Sequence, residues 1–173
     1  MRGAYYNEND QQKAAWLREL MRRGLIAEGD VDERSIADVQ PGGVAGYERV
    51  HWFAGIGIWD HALTLAGWAG PVWTASCPCQ PFSAAGKGEG KEDERHLWPI
   101  LAKLIDERRP VFVFGEQVAS ASVIGKTGRK AKPRGGSVWF DDVCDDLERA
   151  SYTCGAVVFP ACSVGAPHIR QRL

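Results

Sequence analysis

Short apolar runs alternate with helical stretches along most of the chain, and this alternation restricts the fold more than any other feature. The apolar runs have the length of strands: one ends near Phe53, and others occupy residues 72–77, 111–118 and 154–161. Helices are predicted among them, at residues 10–23, 59–66, 97–108 and 141–150. The pattern predicts the α/β class, with a Rossmann-like, mostly parallel sheet and helices on both faces.

The first helix has the clearest start and stop signals. Asp10 is a good N-cap residue, and Gly24 stands where a helix beginning there would end. The side chains expected on its inner side are Ala14, Trp16, Leu17, Leu20 and Met21.

Composition excludes several classes of protein. With 173 residues, 45% of them hydrophobic, the chain has the size of one domain, and we expect a single domain over residues 1–173. It has no apolar run of 18 residues and no signal-peptide segment, so we expect no membrane partner and a cytoplasmic location. Its five cysteines have no paired spacing and form no ligand pattern with the histidines, which favours free thiols and no metal.

Nucleic-acid binding would have to rest on local charge, because the net charge is only −1. The basic segment 125–136, GKTGRKAKPRGG, has enough lysine and arginine to neutralise phosphates. The other interpretation is a mobile, solvated insertion, and the sequence leaves both open.

Chemically useful residues follow three successive predicted strands. Gly55 and Gly57 follow the first, Cys79 follows the second, and Glu116 ends the third. Because ligands bind at the carboxyl ends of strands in open α/β sheets, we expect these residues at one edge of the sheet. The glycines alone are weak evidence, since a strand-to-helix turn also uses glycine for tight packing.

The cysteine lies in an unusual setting, the sequence SCPCQPFSAAGKGEG at residues 76–90. Flanking prolines fix the backbone and remove hydrogen-bond donors, and they do nothing for the packing of a small apolar side chain. The segment therefore indicates a sulfur atom held for chemistry.

Four motifs resemble those of the DNA cytosine-5 methyltransferases, of bacterial or phage type, and they occur in that family's order. Residues 78–83, PCQPFS, with the following Gly, Asp and Arg, resemble the catalytic loop, and GAPHIRQRL at 165–173 resembles the motif with two arginines. Glu116-Gln117-Val118 is similar to Glu-Asn-Val. The turn that binds S-adenosylmethionine in this family has a similar counterpart here, formed by Phe53, Ala54, Gly55, Ile56 and Gly57.

The resemblance implies a role for each matching residue. Cys79 would attack carbon 6 of cytosine, which activates carbon 5 for methylation by S-adenosylmethionine, and Glu116 would stabilise the charge that accumulates on the ring. Arg170 would hold the base or orient Glu116, and Arg172 would support the loop or a phosphate. Pro78 would contact the cofactor. DNA is the implied substrate, with the target base flipped out of the duplex.

The N-terminal region resembles two motifs that this family has after the glycine turn. YYNENDQQKAAWLREL, residues 5–20, resembles the acidic motif with its helix, and GDVDERSIADV, residues 29–39, resembles the Gly-Asp motif. By this resemblance Glu8 would bind the ribose hydroxyls and Asp30 the adenine amino group. We therefore expect a circularly permuted domain, with cofactor motifs in residues 1–40 and the remaining motifs in residues 47–173.

The family's target-recognition region has no counterpart in the sequence, so we expect it to be absent. The chain would then be a truncated form, one subunit of a split enzyme, or a minimal enzyme that contacts DNA through its basic segment. Two other functions stay open. One is a catalytically idle module that binds cofactor or serves as a scaffold subunit, and the other is an RNA cytosine methyltransferase.

Overall fold

The computed structural model describes residues 2–78, 97–117 and 139–172. The chain divides into two compact units. The first unit comprises Met1–Ser76 and Glu107–Gly115, and the second comprises Cys77–Asp106 and Glu116–Leu173. The single domain expected over 1–173, with its motif regions 1–40 and 47–173, stays a prediction.

The helices and strands follow the predicted alternation. The strands are β1 (Arg2–Asn7), β2 (Gly29–Asp32), β3 (Tyr47–Trp52), β4 (Val72–Ala75), β5 (Val113–Gly115), β6 (Phe159–Pro160) and β7 (Gln171–Arg172). The α-helices are α1 (Gln11–Arg22), α2 (Ile58–Leu65), α3 (Trp98–Arg108) and α4 (Trp139–Arg149). Short 3₁₀ turns occur at Ile36–Asp38, Pro41–Val44 and Ala161–Val164.

The first unit is built on a five-stranded sheet in the order β2-β1-β3-β4-β5. All four neighbouring pairs are parallel, so the predicted α/β class with a mostly parallel sheet is confirmed. In the second unit, β6 and β7 form a two-stranded antiparallel sheet. β1 lies between β2 and β3. From β1 the chain continues to β2 on one side, and from β3 it continues to β4 on the other side, so the order of the strands reverses between β1 and β3.

Helix α1 begins and ends as the sequence predicts. The Asp10 carboxylate accepts hydrogen bonds from the N–H groups of Gln12 and Lys13, and Gly24 follows the helix with a φ of 68°. Leu17 is fully buried, but Trp16 is 47% exposed, so its prediction as an inner residue was wrong. Adjacent residues of a helix point in different directions, and the buried stripe passes through Leu17 rather than Trp16.

One face of the sheet carries a buried polar network that connects it to α2. The Asp60 carboxylate, from α2, accepts hydrogen bonds from Arg49 (2.9 Å), His51 (3.2 Å) and the Ala27 N–H (2.6 Å). The other ring nitrogen of His51 lies 2.8 Å from the Thr74 hydroxyl. Burial alone would raise the pKa of Asp60, but these hydrogen bonds hold it well below the usual range.

Two predicted strands are much shorter than expected. Of the strand predicted at 111–118, the structure describes residues 111–117, and within these only Val113–Gly115 are paired, while Val111 is 65% exposed. Its partner β4 has only four residues, which limits the length of the ladder. The strand predicted at 154–161 is paired only at Phe159–Pro160, because its partner β7 has two residues. Within the described ranges, no helix has the length and apolar character needed to cross a bilayer.

Candidate active site

The predicted glycine turn connects β3 to α2 in a strained, left-handed backbone. The φ angles are 53° at Phe53, 58° at Gly55 and 80° at Gly57. Gly57 is the N-cap of α2 and has no side chain for capping. Ile56, at the outer side of the turn, is 52% exposed, and Ala54 is packed in the core with its N–H bonded to the Asn7 carbonyl at 2.9 Å.

Glu8 lies beside this turn because β1 and β3 are neighbours and Asn7 is aligned with Trp52. The residue is only 8% exposed, and both oxygens of its carboxylate accept backbone hydrogen bonds. Oε2 accepts from the Gly55 N–H at 2.8 Å, and Oε1 accepts from the Asp10 N–H at 3.0 Å. Two of the predicted cofactor-binding elements are thus in direct contact, at the place where the topology of the sheet reverses direction.

The structure does not bring Asp30 to the same level of the sheet. Asp30 is the second residue of β2, aligned with Tyr5, and its exposed carboxylate accepts a hydrogen bond from the Tyr47 hydroxyl. It lines a shallow cavity of about 420 Å³, whose other lining residues are Arg2, Gly3, Glu28, Gly29 and Tyr47.

Asp32, which sequence reasoning missed, is the acidic residue at the carboxyl end of β2 and is aligned with Asn7. It accepts hydrogen bonds from Arg34 and, at 2.6 Å, from the Tyr5 hydroxyl. The Arg34 hydrogen bond, more than that of Tyr5, lowers the pKa of Asp32 to about 2 in spite of partial burial. Its place at the end of an alternating strand, GDVD, was the signal in the sequence.

In the second unit, Glu116 forms an ion pair with Arg172. The Nε atom of Arg172, in β7, lies 2.5 Å from Oε1 of Glu116, which directly follows β5 in the chain. Both side chains are partly exposed. The structure therefore brings together two of the predicted catalytic residues. Arg170 is exposed, with a φ of 28°, and it is Arg172 that contacts Glu116.

Two further side chains lie near this ion pair. Gln117 is almost completely buried, and its amide nitrogen lies 3.4 Å from the carbonyl oxygen of Cys77. Burial, with a smaller contribution from the negative charge of Glu116, raises the pKa of the Cys77 thiol to about 12. Cys77 is therefore protonated at neutral pH. Gln117, the residue after Glu116, contacts the start of the cysteine segment.

Several predicted features fall outside the described residues. Cys79 and the rest of its loop up to residue 96 are among them, as is the basic segment 125–136. Pro78 is described and is half-buried. Among the residues that the structure does describe, no group of three or more His, Cys, Asp or Glu side chains could hold a metal ion.

Comparison with known proteins identifies the family. A family model described as C-5 cytosine-specific DNA methylase matches residues 71–173. The chain belongs to this family. The predicted family is confirmed, and the matched region includes the cysteine segment, Glu116 and Arg172.

Curated relatives of this methylase chain are restriction-modification proteins. The type II methyltransferase M.AluI of Cellulosimicrobium cellulans is 30% identical over 124 residues, which cover 66% of this chain and 22% of that protein. M.NgoBI of Neisseria gonorrhoeae is 31% identical and M.HhaI of Haemophilus parahaemolyticus 29% identical, each over 115 residues, which cover 30% and 29% of those proteins. The chain thus spans less than a third of the length of these relatives.

Proposed function

We propose that this chain carries the catalytic centre of a DNA cytosine-5 methyltransferase, which methylates carbon 5 of a flipped-out cytosine through a covalent Cys79 adduct. The observation that supports this most directly is the ion pair of Glu116 with Arg172, inside the region that the methylase family model matches. A catalytically idle module would not require an arginine placed against that carboxylate. Because the chain spans only part of its relatives, the activity of the whole protein is part of the proposal.

Each residue of the centre has a distinct task. The Cys79 thiolate adds to carbon 6 of the cytosine ring, and electron density moves toward ring nitrogen 3. Glu116 stabilises that charge by sharing a proton with nitrogen 3. Arg172 holds Oε1 of Glu116 in a charge-assisted hydrogen bond and so fixes the carboxyl group, while the exposed Arg170 contacts the base or the DNA backbone. Once carbon 5 has received its methyl group, loss of the carbon 5 proton re-forms the double bond between carbons 5 and 6, and the cysteine leaves carbon 6 as a thiolate.

Cys77 supports the assignment of the nucleophile to Cys79. The segment Cys-Pro-Cys offers two sulfur atoms, and the thiolate is the reactive form. With a pKa of about 12, Cys77 has almost no thiolate at neutral pH. Its neighbour two residues later is therefore the better candidate, in agreement with the catalytic-loop motif.

The residues at the β1–β3 edge fit a ribose-bearing methyl donor such as S-adenosylmethionine. The Glu8 carboxylate is the chemical group that binds vicinal hydroxyls, and a Cβ atom added at Gly55 would meet only the Phe53 carbonyl oxygen, at 3.9 Å. When bound, this cofactor supplies an electrophilic methyl group. The turn of Phe53, Ala54, Gly55, Ile56 and Gly57 would hold it with backbone groups, and Pro78 would contact it.

Two carboxylates are candidates for accepting the hydrogen bond of the adenine amino group. Asp30 is implied by the resemblance, whereas Asp32 is level with Glu8 at the carboxyl end of the sheet. Separate Asp30→Asn and Asp32→Asn variants decide between them. The residue that contacts adenine is the one whose loss weakens S-adenosylmethionine binding without weakening binding of a nucleoside that lacks the amino group.

Trapping with 5-fluorocytosine DNA tests the catalytic proposal. The fluorine prevents loss of the substituent at carbon 5, so an active enzyme stays bound covalently through its nucleophile. We expect a complex that requires S-adenosylmethionine, forms with the parent and with Cys162→Ser, and is abolished by Cys79→Ser. Cofactor binding by the parent without any covalent complex would contradict the proposal and favour the idle module.

A further inference from the structure

A second pair of sulfur atoms lies away from the proposed catalytic segment in the sequence. The Sγ atoms of Cys144 and Cys154 are 2.7 Å apart, so the two thiols are in direct contact and either one could donate its hydrogen to the other. Both residues are free thiols and both are half-buried. The proposed methylation mechanism uses neither of them, so their contact needs a separate explanation.

The backbone between these cysteines holds them together. Cys144 lies in α4, and the chain reverses after the helix at Ser151, whose φ is 64°. The Tyr152 N–H bonds to the Leu147 carbonyl at 2.9 Å, and the Ser151 N–H bonds to the Glu148 carbonyl at 2.8 Å. These two bonds form a Schellman motif, a well-defined end for a helix.

The contact is therefore set by regular local structure. The reversed chain runs back along α4 and brings Cys154 to the helix position of Cys144. Because the two side chains already meet, no large backbone movement is needed to join them.

We propose that Cys144 and Cys154 form a redox-active dithiol site, which closes to a disulfide when the protein meets a low-molecular-weight disulfide such as oxidised glutathione. One cysteine thiolate attacks a sulfur of oxidised glutathione, forming a mixed disulfide and releasing one reduced glutathione. The second cysteine sulfur then attacks the protein sulfur of that mixed disulfide and releases the second reduced glutathione. The protein dithiol loses two electrons and two hydrogens, and the oxidant gains both.

The surroundings indicate that the reduced pair is stable until it meets an oxidant. Burial, followed by the contact with Cys154, raises the pKa of Cys144 to about 12, and the carboxylates of Glu148 and Asp141 act in the same direction. A protonated thiol reacts slowly, so we assign the first attack to Cys154 and the closing step to Cys144. Cys162, by contrast, is exposed rather than half-buried.

Closure would connect α4 to the strand pair of the second unit. The chain continues from Cys154 into β6, which pairs with β7 at Phe159 and Arg172. The disulfide would therefore restrain the segment that leads into β6, the strand that pairs with β7 and its Arg172. This inference rests on the sulfur contact alone and does not depend on the proposed methyltransferase activity.

Disulfide mapping after oxidation tests the proposal. The whole chain is used in a Cys79→Ser background, which leaves four of its five cysteines and removes the proposed nucleophile from exchange. After incubation with oxidised glutathione we expect a mass lower by two hydrogens, two remaining free thiols, and a cross-linked peptide that joins Cys144 to Cys154. The oxidised protein should also melt at a temperature higher by roughly 5 °C, since the bridge closes a short loop.

Matched variants separate this pair from ordinary thiol oxidation. Cys162→Ser should form the same cross-link. Cys144→Ser should instead retain bound glutathione on Cys154, and Cys154→Ser, which keeps only the slowly reacting Cys144 of the pair, should form little of either product. The map of the background protein gives an answer even where a variant does not fold. Glutathione adducts without the 144–154 cross-link, or Cys144 joined to a different cysteine, would overturn the proposal.

Discussion

Replacing Glu8 by glutamine changes the proposed cofactor site by one atom and one charge. In the parent, each carboxylate oxygen accepts a hydrogen bond from a backbone N–H, one from Gly55 at 2.8 Å and one from Asp10 at 3.0 Å. Glutamine has one oxygen and one NH₂ group, so it can accept only one of these bonds. The other backbone N–H would then face a donor.

The loss of this hydrogen bond should lower both the stability of the protein and its affinity for the cofactor, and both effects can be estimated. A hydrogen bond to a charged group contributes roughly 1.5–3 kcal/mol, and the loss applies at a nearly buried position. For a chain of this size, that loss lowers the melting temperature by roughly 3–12 °C. If the same carboxylate binds the ribose hydroxyls, loss of one further bond of this strength weakens cofactor binding by roughly 10- to 150-fold.

Calorimetric titration with S-adenosylmethionine and thermal melts of the same samples measure the two effects. Glu148→Gln is the matched control, because it makes the same chemical change at an exposed position in α4. We expect the control to melt and bind as the parent does. The titrations should be carried out well below the melting temperature of Glu8→Gln, so that the measured affinity is that of the folded protein.

The two measurements distinguish a ligand role from a structural one. A lower melting temperature with an affinity within twofold of the parent would mean that Glu8 only braces the glycine turn, and the proposed ribose contact would be refuted. No change in either quantity would refute the two backbone hydrogen bonds as well.

Three further predictions concern the polar network, the turn and the ion pair. Asp60→Asn should lower the free energy of unfolding by about 3–5 kcal/mol at neutral pH. Because the folded pKa of Asp60 lies below the unfolded value, the stability that the carboxylate contributes is complete above about pH 4 and is lost as the pH falls. Thermal melts should therefore show a smaller difference between the variant and the parent in acid. Gly57 has a φ of 80°, and a Cβ atom added there would lie 3.2 Å from a methyl group of Leu17, so Gly57→Ala should lower stability by about 1–2 kcal/mol in denaturant titrations. Gly42→Ala, where an added Cβ atom would meet no atom within 4 Å, should leave stability unchanged. Arg172→Gln should slow covalent trapping of 5-fluorocytosine DNA at least tenfold, and Arg149→Gln, an exposed arginine of the same unit, should leave it unchanged.

The sequence predicted the regular elements well where a local signal was strong. Asp10 and Gly24 marked the ends of the first helix, and both act as expected. Strand lengths were predicted poorly at 111–118 and 154–161, because apolar composition shows that a segment can pair but does not show how much partner strand is present. β5 is limited by the four residues of β4, a property of a distant part of the chain.

The sequence motifs predicted which residues belong to the candidate site. Glu8 and the glycine turn meet, as expected of neighbouring motifs. Glu116 meets an arginine of the last motif, but the contact is made by Arg172 and not by Arg170, the residue expected to orient Glu116. The level of each residue along its strand was not predictable, because it depends on register. Asp30 and Asp32 differ by one strand repeat, and only the alignment of β2 with β1 shows which of them is level with Glu8.

The sheet order explains how residues far apart in sequence can form one binding edge. Glu8 and Gly55 are separated by 47 positions, yet β1 and β3 are neighbours, and each residue comes just after the end of its strand. The contact depends on the pairing of these two strands and not on which of them the chain forms first. A rearranged order of motifs is therefore compatible with an intact cofactor edge, provided that the strand pair is kept. The proposed cofactor role of Glu8 therefore does not require the acidic motif to follow the glycine turn in the sequence.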